Sequence, residues 1–264
     1  MQLRCTAAVG GGIQWLPNLN RACRCDEILE FYGIMNGTTI FMLTGMGAGK
    51  TYQEALSEAQ IRGYAEADPT ADVMGYDARR KCVLSANTAF DTLVNEEDVL
   101  CEGIAEISQE FIGRLCGTVG VGTVKLIASA GYDRGGIYAV VQPEYIPAGA
   151  LFYGVDGCYN MISYRGKNIG VQSYYGSGAG CGPTGSGLIQ DIMDILEGGG
   201  YRLKTPKNNI AVDNSKKRRY YIEIDGRGEL TGPVTIKDMF SRVGAEREKG
   251  RRAAFAALPD EVDE

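Results

Sequence analysis

The sequence predicts an α+β fold, an open mixed β-sheet with helices packed on one face. Three observations point there. Residues 98–130 hold a short apolar run (VLCEGI), a helical run (SQEFIGRLCG) and a β-prone run (GTVKLIASA), joined by brief links. Residues 137–141 and 167–174 add further β-prone runs, so local hairpins are expected beside the helices. Residues 51–62 and 76–90 carry helix formers with apolar positions at helical spacing. Hairpins with interspersed helices segregate the helices to one side of a sheet.

Composition sets the limits. At 264 residues the chain makes one large domain or two small ones, long enough to bury a core. Apolar content is 44% and charged content 23%, both ordinary for a globular protein. A net charge of −6 argues against nucleic acid or an anionic membrane as partner. Glycine is abundant, 37 residues, about twice its usual share of roughly 7%, which implies many turns and close backbone approaches. Histidine is absent, so acid–base chemistry falls to carboxylates, lysine, tyrosine or cysteine, and histidine-ligated zinc is excluded. Eight cysteines contain no CxxC pair and no disulfide framework. With no signal-peptide core and no membrane-length apolar run, a reduced, cytoplasmic protein is expected.

In chain order, residues 6–15 (TAAVGGGIQW) read as an apolar strand running into a triple-glycine turn. Glycines there let backbone approach a ligand, or merely make a tight turn. Residues 27–35 read as a buried strand, and a helix capped by threonine begins at Thr38. Residues 44–51 (TGMGAGKT) imitate a phosphate-binding loop, but Thr44 stands where the pattern requires its first glycine. The helix over 51–62 turns Ala55, Leu56 and Ala59 inward and closes at Gly63.

Residues 63–81, GYAEADPTADVMGYDARRK, hold the candidate site. Asp68-Pro69 favours extended or turning backbone, and after Gly75 a helix carries Val83, Leu84 and Ala86 among its apolar positions. On it Asp77 and Lys81 are four apart and share a face. The preceding loop can return Glu66 and Asp72 to the same spot. One cation among carboxylates suits a small zwitterion; the alternative is a solvated acidic loop with a surface ion pair. Residues 176–187 (GSGAGCGPTGSG) form a second glycine-rich loop ahead of a helix, either an anion-friendly helix start or a connector. The last segment, 200–264, reads as a charged tail with a frayed end.

The stretch GYAEADPTADVMGYDARRK resembles the signature of homoserine dehydrogenase. AVGGGI (8–13), IMNGTTIFML (34–43) and GSGAGCGPTGSG (176–187) match that family in the same order, with weaker similarity over 143–160. The resemblance spans roughly residues 6–197 and is to the catalytic and dimerisation region. It implies NAD(P)-dependent interconversion of aspartate semialdehyde and homoserine. By resemblance Lys81 and Asp77 are catalytic, and Glu66, Asp72, Asp77 and Thr38 bind substrate. Gly178, Ala179 and Gly180 touch NADP or NAD, and the backbone carbonyls of Val9, Gly11 and Ile13 hold a sodium ion. The family usually adds an acidic side chain to that ion where this chain has Thr6.

The resemblance further implies a homodimer, paired through the sheet of roughly residues 100–175. It makes 1–199 the catalytic and dimerisation domain, with the helix over 183–197 packing on a nucleotide-binding domain that has no counterpart in these residues. Such a domain, which in the family carries a second lysine, would come from elsewhere, on the same or a separate chain. Residues 200–264 faintly resemble the opening of the regulatory domain that ends many family members, cut short. The competing reading is a catalytically silent fragment or a partner-binding subunit.

Overall fold

The structure is a computed structural model that describes residues 3–134, 136–199 and 210–260. Two 3-10 turns, Thr6–Ala8 and Gly11–Ile13, precede α1 (Trp15–Ala22). Then come β1 (Ile28–Ile34), α2 (Gly37–Gly47), α3 (Tyr52–Ile61), the single turn α4 (Thr70–Val73) and α5 (Tyr76–Ala89). β2 (Leu100–Cys101) and α6 (Gln109–Val119) lead into two hairpins, β3 (Gly122–Asp133) with β4 (Gly136–Pro147) and β5 (Tyr159–Gly166) with β6 (Gly170–Ser177). After α7 (Cys181–Leu196) follow β7 (Lys217–Arg218), β8 (Tyr220–Ile224), β9 (Arg227–Leu230), β10 (Val234–Thr235), α8 (Ile236–Glu248) and β11 (Ala253–Ala257).

The main sheet runs β6-β5-β1-β3-β4-β11-β8-β9, with β2 beside β4. Most neighbours are antiparallel, whereas β2 and β11 both lie parallel to β4. That is the open mixed sheet expected. Because side chains alternate across a strand, Leu126, Ala128 and Ala130 of β3 fall on one face with Phe31, Ala139 and Val141. There they meet Trp15, Leu19, Met42, Leu43, Cys82 and Leu115 from α1, α2, α5 and α6. Ile127, Ile34 and Met161 point the other way and are covered by Phe152 and Val155. Farther along that second face, Ile236 of α8 packs on Tyr138 and Val140. One helix therefore sits opposite the rest.

Several local expectations are corrected. Residues 6–15 are not a strand: Gly10, Gly11 and Gln14 all have positive φ (76°, 53° and 54°), which coils the backbone into 3-10 turns. The helix after β1 starts at Gly37 and is capped by Asn36, whose side chain accepts from the Thr39 N–H. Of the apolar positions noted on α5, Leu84 is exposed, and the buried stripe is Ala78, Cys82, Ser85 and Ala86.

Within the expected frayed tail, residues 253–257 are ordered as a strand. AAFAA, a poor strand former by composition, becomes β11 with all five residues buried between β8 and β4. Arg218 clamps Glu144 and the Leu258 carbonyl, while Arg247 forks onto Glu102 at 2.8 and 3.0 Å. Arg114 does the same to Glu223, with both bonds at 2.7 Å. Tertiary pairing overrides local preference here. Residues 200–209 and 261–264 of the expected tail lie outside the described residues.

Candidate active site

The site is built at the corner where β1 gives way to α2. Asn36 adopts extended backbone (φ −131°, ψ 121°), and its Oδ1 takes the Thr39 N–H at 2.9 Å, which starts the helix. Opposite this corner stand α4 and α5. Asp68 accepts from the Thr70 hydroxyl at 2.6 Å and its N–H at 3.0 Å, bonds that lower its carboxyl below the usual range and nucleate α4. Gly75 separates α4 from α5 at φ 80°, where a Cβ would lie 2.9 Å from the Cys101 sulfur. Gly103 is held equally close, for its Cβ would approach the Val73 carbonyl to 2.1 Å. Sheet and helices thus fix Asp72, Asp77 and Lys81 against the corner.

The polar contacts form one chain. Lys81 Nζ donates to the Met35 carbonyl at 2.8 Å and to Asp77 Oδ2 at 2.7 Å. Asn36 Nδ2 donates to the same Asp77 oxygen at 2.9 Å and to Asp72 Oδ1 at 2.6 Å. Thr38 Oγ1 lies 3.0 Å from Asp72 Oδ2 and 2.5 Å from the Tyr64 carbonyl. A hydroxyl has one proton for those two acceptors, so one of them is left to another donor. Two carboxylates face one ammonium. The cluster therefore carries a surplus negative charge with unfilled acceptor capacity, which favours a cationic group beside it. Asn36 and Thr38 are both 5% exposed, while the Lys81 and Asp77 side chains reach solvent at 18% and 32%. Burial pushes the nearby Cys101 thiol up to about 12 and Cys82 higher still, so neither offers a thiolate near neutral pH.

Of the residues marked in the sequence, Lys81, Asp77, Asp72 and Thr38 come together. Glu66 is exposed, and its carboxylate joins none of these bonds. Asn36 is the addition: its place in the NGT corner was visible, its bridge between two carboxylates was not.

The two glycine-rich loops, far apart in sequence, are packed on each other. A Cβ on Gly11 would stand 2.5 Å from the Gly178 carbonyl, and one on Gly12 would meet Pro183 at 3.0 Å. Thr6 fastens the pair, since its N–H and hydroxyl reach the Asp191 carboxylate of α7 at 3.0 and 2.5 Å. Gly180 begins α7 at φ 115° with no capping side chain, and Ala179, Gly180 and Cys181 are exposed. Uncapped N–H groups at a helix start suit an anion or a cofactor edge. The loop fits a nicotinamide cofactor as one wall only.

Sodium fits less well. The carbonyls of Val9, Gly11 and Ile13 are oxygen donors of the right kind for a hard cation. The carboxylate nearest Thr6, Asp191, is already bonded by Thr6. Among the described residues no three His, Cys, Asp or Glu side chains gather to hold a metal.

Fold and site together define an α+β domain with a lysine and paired carboxylates bonded at one corner of its sheet and two glycine-rich loops packed on each other. The homoserine dehydrogenase family model matches residues 15–193, and the chain belongs to that family. It is 34% identical over 253 residues to homoserine dehydrogenase of Bacillus subtilis, covering 92% of this chain and 58% of the relative. The enzyme of Synechocystis is 38% identical over 195 residues, covering 72% and 45%. The chain thus spans about half the length of these curated relatives. Among solved structures, the homoserine dehydrogenase of Thiobacillus denitrificans superposes with a TM-score of 0.84 at 26% identity, covering 97% of this chain and 69% of that one. A hyperthermophilic archaeal homoserine dehydrogenase in complex with NADPH gives 0.64 at 25% identity, covering 75% and 56%.

Proposed function

We propose that this chain supplies the substrate-holding, proton-transferring half of homoserine dehydrogenase, which interconverts L-homoserine and L-aspartate 4-semialdehyde on the route to threonine and methionine in the cytoplasm. The observation that carries the reading is the hydrogen-bonded chain Lys81–Asp77–Asn36–Asp72 at the β1–α2 corner. In the oxidative direction Lys81, entering as the neutral amine, takes the proton of the substrate hydroxyl and becomes the ammonium, and in the reverse direction the ammonium returns it. Asp77 orients the Lys81 amine. A cation beside the reacting oxygen also stabilises the negative charge that grows there as the carbonyl is reduced. Asp72 holds the hydroxyl end, Thr38 lines the same wall, and Glu66 at the rim takes the α-ammonium group. NADP or NAD, when bound, exchanges the hydride. Gly178, Ala179 and Gly180 make its near wall, and the rest of its site comes from a nucleotide-binding domain on the same or a separate chain. Pairing of two copies through the sheet of roughly residues 100–175 completes the assembly.

The test is reduction of NADP or NAD by homoserine, measured on the chain alone and after mixing with a nucleotide-binding domain. Activity only in the mixture is expected; none under either condition overturns the reading. Titration calorimetry of the chain alone with NADPH is expected to show very weak binding, and a low-micromolar dissociation constant would contradict the one-wall site.

A further inference from the structure

Asn36 carries two separable loads. Its Oδ1 accepts the Thr39 N–H and so starts α2. Its Nδ2 uses both of its protons on carboxylates from different elements, Asp72 of α4 at 2.6 Å and Asp77 of α5 at 2.9 Å. Without that amide, two negative groups would face each other across a half-buried gap. Lys81 contacts only the Asp77 side of the pair, so it cannot hold Asp72 in place. We propose that Asn36 is the positioning residue of this site, setting the carboxylate that orients the Lys81 amine and keeping two like charges in register. The inference rests on the proposed function for its kinetic consequences, though not for its geometry.

The side chain's division of labour makes it testable. Asn36→Ser and Asn36→Asp both keep a capping oxygen and remove the amide donor, and Asn36→Asp also adds a third negative charge. Asn36→Ala removes cap and donor together. In the assembly active with homoserine, all three are expected to lower kcat about tenfold or more, the scale of losing a hydrogen bond to a charged group. KM should change less, Asn36→Asp should be the slowest, and Asn36→Ser should show the smallest fall in Tm, since Asn36→Ala loses the cap and Asn36→Asp sets a third charge at a buried position. The second readout needs no activity: amine-reactive labelling of the chain, followed by mass spectrometry. Freed from its oriented partner, Lys81 should label at least about threefold faster in Asn36→Ser than in the unsubstituted chain, with the exposed Lys237 as the internal standard. Unchanged Lys81 labelling in Asn36→Ser, or kcat losses that merely follow Tm, overturns the role. An unsubstituted assembly inactive with homoserine sinks the proposed function instead and leaves labelling to decide on Asn36.

Discussion

The β1–α2 corner and the α7 edge are both glycine-marked, yet they are finished to different degrees. At the corner, the β1–α2 link, α2, α4 and α5 each contribute a group, and Lys81, Asp77, Asn36 and Asp72 are bonded to one another at 2.6–2.9 Å. At α7 the inner side is fastened by Thr6 and Asp191, while Leu188, Ile189, Ile192 and Leu196 stand more than half exposed. An apolar helix face in water is an unfinished surface. One region is bonded within the chain; the other presents an apolar face to solvent. Among the described residues no helix is long and apolar enough to cross a membrane.

The largest effect should come from the finished region. In the active assembly Lys81→Ala is expected to cut kcat by roughly 10²–10⁴-fold with a smaller change in KM, because it removes the proton carrier. Steady-state kinetics with homoserine decide it, and retention of more than about a tenth of kcat would break the comparison. Glu66→Gln, at the rim, should raise KM and spare kcat, since an ammonium contact is held equally before and during hydride transfer. A loss confined to kcat would move the ammonium site to Asp72.

Smaller effects belong to α7. Thr6→Val removes a 2.5 Å bond to a carboxylate that is only 6% exposed. The expected loss is roughly 1–3 kcal/mol, read from urea unfolding. A neutral result would mean that the two glycine loops hold together without this clasp. Ile192→Asp should change the chain's own stability by no more than about 0.5 kcal/mol, as for an exposed site. It should nevertheless abolish co-elution with a nucleotide-binding domain. If co-elution survives, the apolar face serves something else.

Much of this could be read from residue order because it is local. Asp77 and Lys81 share a helix face by spacing alone, and α5 begins at Tyr76, just after Gly75, as the sequence implied. The Thr51 capping box and the positive φ of Gly63 follow from the same short-range rules. The 63–81 motif pointed to the family, and with it to the open sheet. Other features lay beyond local signal. α1 hides a proline in its first turn, which propensity penalises but geometry allows. β11 is a strand only because β8 and β4 flank it.

The sequence by itself determined which residue types could do acid–base chemistry: with no histidine, it falls to carboxylates, lysine, tyrosine or cysteine, and Asp77 and Lys81 stand at helical spacing. Tertiary structure alone decided the rest. It set Asn36 between Asp72 and Asp77, brought Gly11 against Gly178, and put Asp191 on Thr6. The reason is physical. Spacing along one helix fixes neighbours three and four residues apart, whereas contacts between residues tens or hundreds of positions apart exist only once a shared core has closed around them.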